Sequence, residues 1–204
     1  MQLENIPLYT VDEKNKVSER IYKTSIPGLY YIDTVLHTDE RGFYREEALI
    51  PDLEDVIGSK FVIKQLNHAR SVKNVIRGFH AEDWNKLVTV THGVCLCVLA
   101  DIRPESQTFA KTEYILLGFG NNALPGSLFI TKGIANSLCV VDAPVDYIYA
   151  VDELYRTRDS KNDVAISLFD PELHIQWPIE KQDIVVSDRD KNTTTLREKY
   201  PELF

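Results

Sequence analysis

The sequence predicts an all-β fold of the jelly-roll type, a double-stranded β-helix barrel with a few short helices at its periphery. Three observations support this prediction. From Lys60 onward, short segments rich in β-branched and aromatic residues follow one another along the chain. Turn residues such as Gly120-Asn121-Asn122 and Pro125-Gly126 separate several of them. Almost no helical pattern lies between these segments, which favours a sandwich or barrel over alternating strands and helices.

The chain is expected to open with an N-terminal arm over residues 1–22. This segment is polar and charged around Asp12-Glu13-Lys14-Asn15-Lys16, so it is expected to be loosely ordered or laid against a partner subunit. Residues 23–204 are expected to form a single jelly-roll domain, because one all-β unit often reaches this length. Within it, residues 29–36 are the first predicted strand, and Asp39-Glu40-Arg41-Gly42 reads as a turn.

Two helices are predicted at the periphery. The first covers residues 46–57, where Leu49, Leu53 and Ile57 recur at four-residue spacing and Gly58 follows as a C-cap. Pro51 leaves open that this helix begins only there. The second is a short polar helix over residues 195–200.

The remaining elements are predicted strands. Residues 87–91 and 94–100 are expected to form a hairpin with a turn at His92-Gly93. Residues 94–100 are apolar on both faces, which places them in the middle of a double layer. The other predicted strands are residues 61–66, 75–80, 112–118, 127–131, 137–141, 145–151 and 164–168.

Charge and cysteine content restrict the partners and the compartment. The formal net charge of -8 disfavours nucleic acid and anionic membranes as partners, although a few arginines can still bind a phosphorylated small molecule. The three cysteines lack the spacing of a disulfide framework, which indicates reduced, buried thiols. No basic region followed by an apolar run begins the chain, and no apolar run reaches the length of a membrane span. A cytoplasmic location is therefore expected.

Polar side chains are dense between Gln65 and His80. Gln65 and Asn67 share one face of a predicted strand, because side chains alternate with period two. One interpretation is that these strands have a solvent-facing side. The other is that the planar donors and acceptors line a wet pocket for a sugar or a phosphate. Periodicity alone leaves both interpretations open.

A metal site is not expected at His80. Metal-binding cupins present His-x-His followed by a glutamate, whereas this chain has His80-Ala81-Glu82 and lacks the second histidine. One histidine with scattered carboxylates is a poor transition-metal site. We therefore expect no metal and no cofactor, and a pocket that works through its own acids and bases.

Several motifs in constant order carry a resemblance to a known family over residues 26–177. They are Asp39-Glu40-Arg41-Gly42-Phe43-Tyr44-Arg45-Glu46, Gln65-Leu66-Asn67-His68-Ala69-Arg70-Ser71, Arg77-Gly78-Phe79-His80, Lys86-Leu87-Val88, Phe169-Asp170-Pro171 and Ile175-Gln176-Trp177-Pro178. With these motifs the chain resembles the dTDP-4-dehydrorhamnose 3,5-epimerase family, the metal-free cupins that epimerise nucleotide-linked 4-keto-6-deoxy sugars.

The resemblance implies catalytic roles for four residues. His80 would be the base, oriented by Asp170, and Lys86 would stabilise the enolate that forms beside the 4-keto group. Tyr149 would donate a proton on the opposite face. A neutral imidazole suits the removal of a hydrogen made acidic by a neighbouring ketone, and an ammonium lowers the energy of the developing oxyanion.

The resemblance also implies a set of substrate-binding residues. Arg41 and Arg77 would hold the diphosphate, with Arg41 reaching across the interface of a homodimer. The remaining residues of this set are Glu46, Gln65, Asn67 and Asn136. The implied function is that of an isomerase, which epimerises C3, C5 or both in an NDP-4-keto-6-deoxy sugar, in the biosynthesis of deoxysugars for surface polysaccharides or glycosylated metabolites.

The chain departs from the family pattern at three places. Asn136 stands where the family usually has a titratable histidine, and Ala81-Glu82 replaces an aromatic-Gln pair. The position of the tyrosine that the family uses to stack on the nucleobase falls at either Leu154 or Tyr155. Two alternatives therefore stay open: a cupin 3,4-ketoisomerase, in which the carbonyl moves, and a non-catalytic cupin that only binds a nucleotide sugar.

Overall fold

The computed structural model describes residues 3–157 and 160–204, and it confirms the predicted jelly-roll fold. Within these residues one sheet has nine strands, and β3 and β4 form a separate hairpin. The strands are β1 (Ile21–Lys23), β2 (Leu29–Ile32), β3 (His37–Asp39), β4 (Gly42–Tyr44), β5 (Gln65–Ser71), β6 (Ile76–Ala81), β7 (Lys86–Asp101), β8 (Thr112–Gly118), β9 (Ser127–Ile130), β10 (Ile134–Val151) and β11 (Val164–Ala165). The α-helices are α1 (Ile50–Ile57), α2 (Asp188–Lys191) and α3 (Leu196–Lys199). Short 3-10 helices cover Glu13–Asn15, Ser160–Asn162, Lys181–Asp183 and Pro201–Leu203.

The two long antiparallel strands β7 and β10 organise the barrel. Each has different neighbours along its two halves. The first half of β7 pairs with β9 and its second half with β8. The first half of β10 pairs with β6 and its second half with β5. Both β5 and β6 therefore pair with the same long strand, which places the dense polar segment that they carry beside β10.

The predicted hairpin turn at His92-Gly93 is wrong, because β7 runs through this dipeptide without reversing. Gly93 has a φ of +77°, and a Cβ atom there would lie 2.2 Å from the carbonyl oxygen of Pro144 on β10. The glycine therefore lets β7 bend where β10 crosses close to it. The two strands predicted at 137–141 and 145–151 are likewise one strand, whose pairing with β7 shifts register between Val140 and Tyr147.

The peripheral helices agree with the sequence in their positions. Helix α1 begins at Ile50 with Pro51 in its first turn, so the later of the two starting points was correct. Gly58 ends it at a φ of 68°, and its N–H donates to the carbonyl oxygen of Glu54. Helix α3 starts with a capping box between Thr195 and Glu198.

The apolar half of β7 is buried on both faces, as predicted. Cys95 and Leu99 belong to the cluster of buried residues that β7 shares with β2 and β9. Leu96 and Val98 point the other way, into a second cluster, which the C-terminal segment covers with residues such as Leu168. Burial on both sides explains why this strand does not alternate between polar and apolar residues.

The segment predicted as an arm packs on the barrel where it is described. Ile6 and Tyr9 are buried, and the Tyr9 N–H donates to the carbonyl oxygen of Tyr114 at 2.7 Å. The division of the chain at residue 22 stays a prediction. Across residues 3–157 and 160–204, no helix has the length and apolar character needed to cross a membrane.

Candidate active site

A cavity of about 260 Å³ lies over β6 and β10 and is closed on one side by α2. Its wall combines cationic, anionic and aromatic side chains, a composition typical of sites for polar ligands. The lining residues are Ala69, Arg77, His80, Glu82, Trp84, Lys86, Asn136, Leu138, Tyr147, Tyr149, Tyr155, Ser187, Arg189 and Asp190. Of the predicted site residues, five meet here: Arg77, His80, Lys86, Asn136 and Tyr149.

His80 forms a short hydrogen bond with Asp190. The distance from His80 Nε2 to Asp190 Oδ1 is 2.7 Å, and the two side chains are 19% and 5% exposed. Burial acts to raise the pKa of Asp190, but the hydrogen bond from His80 and its charge outweigh burial, so this pKa lies below its ordinary value. Asp190 is thus a carboxylate able to orient the imidazole and to stabilise its protonated form.

The C-terminal segment delivers Asp190 to β6. The Ile76 N–H donates to the carbonyl oxygen of Val185 at 3.0 Å, and the Val185 N–H donates to that of Asn74 at 2.8 Å. These bonds lay the segment along β6. Ser187 then caps α2 by accepting from the Asp190 N–H at 3.2 Å, which sets the direction of the carboxylate.

The predicted pairing of Asp170 with His80 is wrong. Asp170 is 2% exposed and accepts three backbone N–H groups, from Glu172 at 2.9 Å, Leu173 at 3.3 Å and Leu196 at 2.6 Å. Its carboxylate therefore ties a turn to the start of α3. The Asp170-Pro171 dipeptide is part of that turn.

Lys86 lies between a carboxylate and a phenol. Its Nζ is 3.1 Å from Glu82 Oε2 and 5.2 Å from the centre of the Tyr149 ring. Burial raises the pKa of Tyr149 above its ordinary value, and the nearby charge of Glu82 adds to this effect. Tyr149 therefore holds its proton at neutral pH and is available as an acid.

Asn136 faces His80 directly across the β6–β10 pair. Its Nδ2 donates to the Tyr147 hydroxyl at 3.0 Å, and its Oδ1 is buried with no hydrogen-bond partner among the residues that the structure describes. A buried acceptor without a donor is costly in a finished core. We interpret this oxygen as a contact for a ligand in the cavity.

Gln65 and Asn67 share a face, as predicted, but they do not line the cavity. Gln65 Nε2 donates to Asn67 Oδ1 at 2.6 Å, and Gln65 Oε1 accepts from the Tyr155 N–H at 2.9 Å. The pair thereby anchors the loop that carries Tyr155 to the rim. Of the two candidates for the position next to the base, Tyr155 lines the cavity and Leu154 does not.

Arg41 and Glu46 lie away from the cavity of their own chain. Arg41 is at the tip of the β3–β4 hairpin, where its side chain is 83% exposed and pairs with Asp39. Glu46 binds Arg20 at 3.0 Å beside α1. The structure therefore does not join either residue to His80 within one chain.

Three residues that line the cavity were not predicted from the sequence. Asp190 lies 110 positions from His80, and Arg189 adjoins it. The pattern of Ser187 followed by an acidic turn could have predicted a capped helix, but not its target. Trp84 belongs to a connection that carries no recognisable motif. Within residues 3–157 and 160–204, no group of three His, Cys, Asp or Glu side chains could hold a metal ion.

Comparison with known proteins identifies the chain at family level. The family model of dTDP-4-dehydrorhamnose 3,5-epimerase matches residues 23–198. The protein of that name from Escherichia coli K12 is 32% identical over 184 residues, which cover 87% of this chain and 95% of the relative. A crystal structure of dTDP-6-deoxy-D-glucose-3,5-epimerase from Legionella pneumophila, in complex with dTDP-4-keto-L-rhamnose, superimposes with a TM-score of 0.78 at 32% identity and covers 90% of this chain and 96% of that one. A 3'-monoepimerase from Streptomyces bikiniensis, in complex with dTDP-quinovose, has a TM-score of 0.77 at 26% identity, with 88% and 89% covered. On this fold, this cavity and these matches, the chain belongs to the dTDP-4-dehydrorhamnose 3,5-epimerase family of nucleotide-sugar isomerases.

Proposed function

We propose that the cavity epimerises a nucleotide-linked 4-keto-6-deoxy sugar at C3, C5 or both, with His80 as the base and Tyr149 as the acid. The observation that carries this proposal is the His80–Asp190 pair in one cavity with Lys86 and Tyr149. Such a set contains a base with its orienting carboxylate, a cation for an oxyanion and an acid that keeps its proton.

The reaction follows from the chemistry of a ketone. His80 removes the proton from a carbon next to C4, the C–H electron pair moves into an enolate, and the negative charge collects on the C4 oxygen. The Lys86 ammonium stabilises that oxygen, and Asp190 stabilises the imidazolium. Tyr149 then protonates the same carbon from the opposite face, which inverts it. Solvent returns a proton to the phenolate and takes one from the imidazolium, so the enzyme is unchanged.

Charge supports a nucleotide diphosphate as the substrate handle. Arg77 lines the cavity three residues before His80, and its Nε donates to Ser71 Oγ at 2.9 Å, which directs the side chain along the strand. Arg189 on α2 adds a second guanidinium to the cavity wall. Guanidinium groups are well suited to phosphate oxygens, so these two arginines compensate for the acidic net charge locally. Tyr155 at the rim offers a ring for the base to stack on.

Deuterium uptake tests the proposal. In heavy water, the wild-type protein should exchange hydrogen at C3 or C5 of dTDP-4-dehydro-6-deoxyglucose, and nuclear magnetic resonance assigns the carbon. His80→Ala should lower the exchange rate by about 10²–10⁴-fold, since a positioned base contributes that much. Tyr149→Phe should slow inversion more than exchange, because proton removal precedes its step.

His68→Ala provides the matched control. His68 also pairs with an aspartate, Asp146, at 2.9 Å, but it is 56% exposed and outside the cavity. Its replacement should leave exchange unchanged. An equal loss in the His68 and His80 variants, or no exchange by the wild type with such substrates, would refute the proposal. A product with its ketone moved to C3 would favour the ketoisomerase instead.

The proposal extends to a homodimer in the cytoplasm. Arg41 is exposed at the tip of the β3–β4 hairpin, away from the cavity of its own chain. It can therefore bind the diphosphate only in the cavity of a second copy. The three buried free cysteines, Cys95, Cys97 and Cys139, are typical of a reducing compartment.

Subunit mixing tests the shared site. In a dimer formed from Arg41→Ala and His80→Ala chains, one of the two sites keeps both wild-type residues. Random mixing should therefore restore about one quarter of the wild-type activity, given two-fold symmetry. Restoration above the sum of the separate variants supports the crossing arginine. A purely additive mixture, or a monomer by light scattering, would contradict it.

A further inference from the structure

Glu82 is an acidic residue that lines the cavity and has no role in the proposed reaction. It follows β6 two positions after His80, and the side chain is 10% exposed. Its carboxylate lines the same cavity as His80 and Lys86. A carboxylate this deep in a protein needs hydrogen-bond donors or a cation beside it.

One of its two oxygens is occupied. Oε2 accepts from Lys86 Nζ at 3.1 Å, whereas Oε1 receives no donor from residues 3–157 or 160–204. Burial acts to raise the pKa of Glu82, but the charges of Lys86 and His80 outweigh burial and hold this pKa below its ordinary value. Glu82 is therefore ionised at neutral pH, and an ionised carboxylate only accepts hydrogen bonds.

The contact with Lys86 locates the ligand atom that Oε1 would meet. If Lys86 stabilises the C4 oxygen, a group bound to Glu82 lies next to that carbonyl. In a 4-keto-6-deoxyhexose the neighbours of C4 are C3, which carries a hydroxyl, and C5, which carries a methyl group. The hydroxyl is a donor and the methyl group is not.

We propose that Glu82 is a specificity-determining residue, whose Oε1 accepts a hydrogen bond from a donor group on C3 of the sugar. This inference rests on the proposed function, because it takes the position of the carbonyl from it. It also predicts the orientation of the sugar: the carboxylate repels the keto oxygen and turns it toward Lys86. A hydroxyl at C3 satisfies Glu82, and a protonated amine there would bind more tightly because it is charged.

A double-mutant cycle between protein and substrate tests the inference. The wild type, Glu82→Gln and Glu82→Ala are compared on dTDP-4-dehydro-6-deoxyglucose and its 3-deoxy analogue, with Kd from calorimetry and kcat/KM from deuterium uptake. In the wild type, loss of the 3-hydroxyl should weaken both constants by about 10- to 100-fold, as expected for a hydrogen bond to a charged group. The neutral acceptor in Glu82→Gln should reduce that discrimination to about 3- to 10-fold, and Glu82→Ala should remove it.

Asp83→Asn is the control, because Asp83 lies in the same connection, pairs with Lys132 at 3.5 Å and does not line the cavity. It should discriminate as the wild type does. If the Glu82 variants lose equally on both substrates, Glu82 only holds Lys86 and the inference is overturned. Unchanged discrimination in Glu82→Gln overturns it even if Glu82→Ala does not fold.

Failure of the proposed function gives a different result. In that case the wild type shows no exchange, while the Kd values still report whether Glu82 reads the 3-hydroxyl. If the wild type binds neither sugar, both proposals are rejected.

Discussion

Exchanging the two candidate aspartates in turn separates a carboxylate that acts on His80 from one that supports the fold. Asp190→Asn keeps the size of the side chain but removes the charge that faces His80 Nε2 at 2.7 Å. Asp170→Asn removes the charge from a carboxylate that accepts hydrogen bonds from three backbone N–H groups. The chemical change is the same in both variants. The lost charge faces the imidazole in one variant and backbone N–H groups in the other.

The expected magnitudes follow from these contacts. A hydrogen bond to a charged partner contributes about 1.5–3 kcal/mol, so Asp190→Asn should lower kcat for deuterium exchange by roughly 10- to 150-fold. KM should change little, because Asp190 acts through His80. Asp170→Asn turns an amide NH₂ toward backbone donors, which should cost about 1–3 kcal/mol of stability and lower Tm by roughly 2–12 °C.

Both variants are assayed by deuterium uptake per folded molecule and by thermal unfolding. Asp170→Asn, measured well below its Tm, should retain near wild-type kcat. The assignment of Asp190 is refuted if Asp190→Asn exchanges at the wild-type rate, or if Asp170→Asn loses kcat to the same extent without losing stability.

Three further predictions concern proton release and packing. Burial raises the pKa of Tyr149 above its ordinary value near 10, so loss of the phenolic proton should not lower activity until the pH exceeds about 10. A pH–rate profile that falls at lower pH in the wild type, but not in Tyr149→Phe, would contradict this. The folded-state pKa of Asp190 is lowered, so the contribution of this carboxylate to stability is complete above about pH 4 and disappears as the pH falls through the folded-state pKa. Asp190→Asn should therefore lose less Tm than the wild type between neutral and acid pH. Parallel curves of Tm against pH for the two proteins would show that the pKa of Asp190 is not lowered by folding. Gly78→Ala should destabilise the protein by about 2–4 kcal/mol in urea titrations. The reason is that Gly78 has a φ of +119° and that a Cβ there would lie 2.6 Å from the carbonyl oxygen of Asn136. If the Gly78→Ala variant is as stable as the wild type, β6 and β10 can move apart at this point.

Local pattern was sufficient for much of the fold. Residues 112–118 form the predicted strand, and Gly58 ends α1 in the left-handed conformation. These features depend on neighbours within a few positions, on strand propensity and on the conformational freedom of glycine. The same local reasoning failed at His92-Gly93, where a glycine that usually marks a turn serves a bend within one long strand. Only the position of the neighbouring strand β10 shows whether this glycine forms a turn or a bend.

The candidate site divides in the same way. His80, Lys86 and Tyr149 were found from motifs along the chain, and the structure brings them into one cavity. The family resemblance implies Asp170 as the carboxylate partner of His80, whereas the structure places Asp190 there. Sequence alone determined the strand-rich fold and the residue types of the site, because these are carried by short patterns. Tertiary structure decided which carboxylate meets the imidazole, because two residues 110 positions apart are joined only by the C-terminal segment lying along β6.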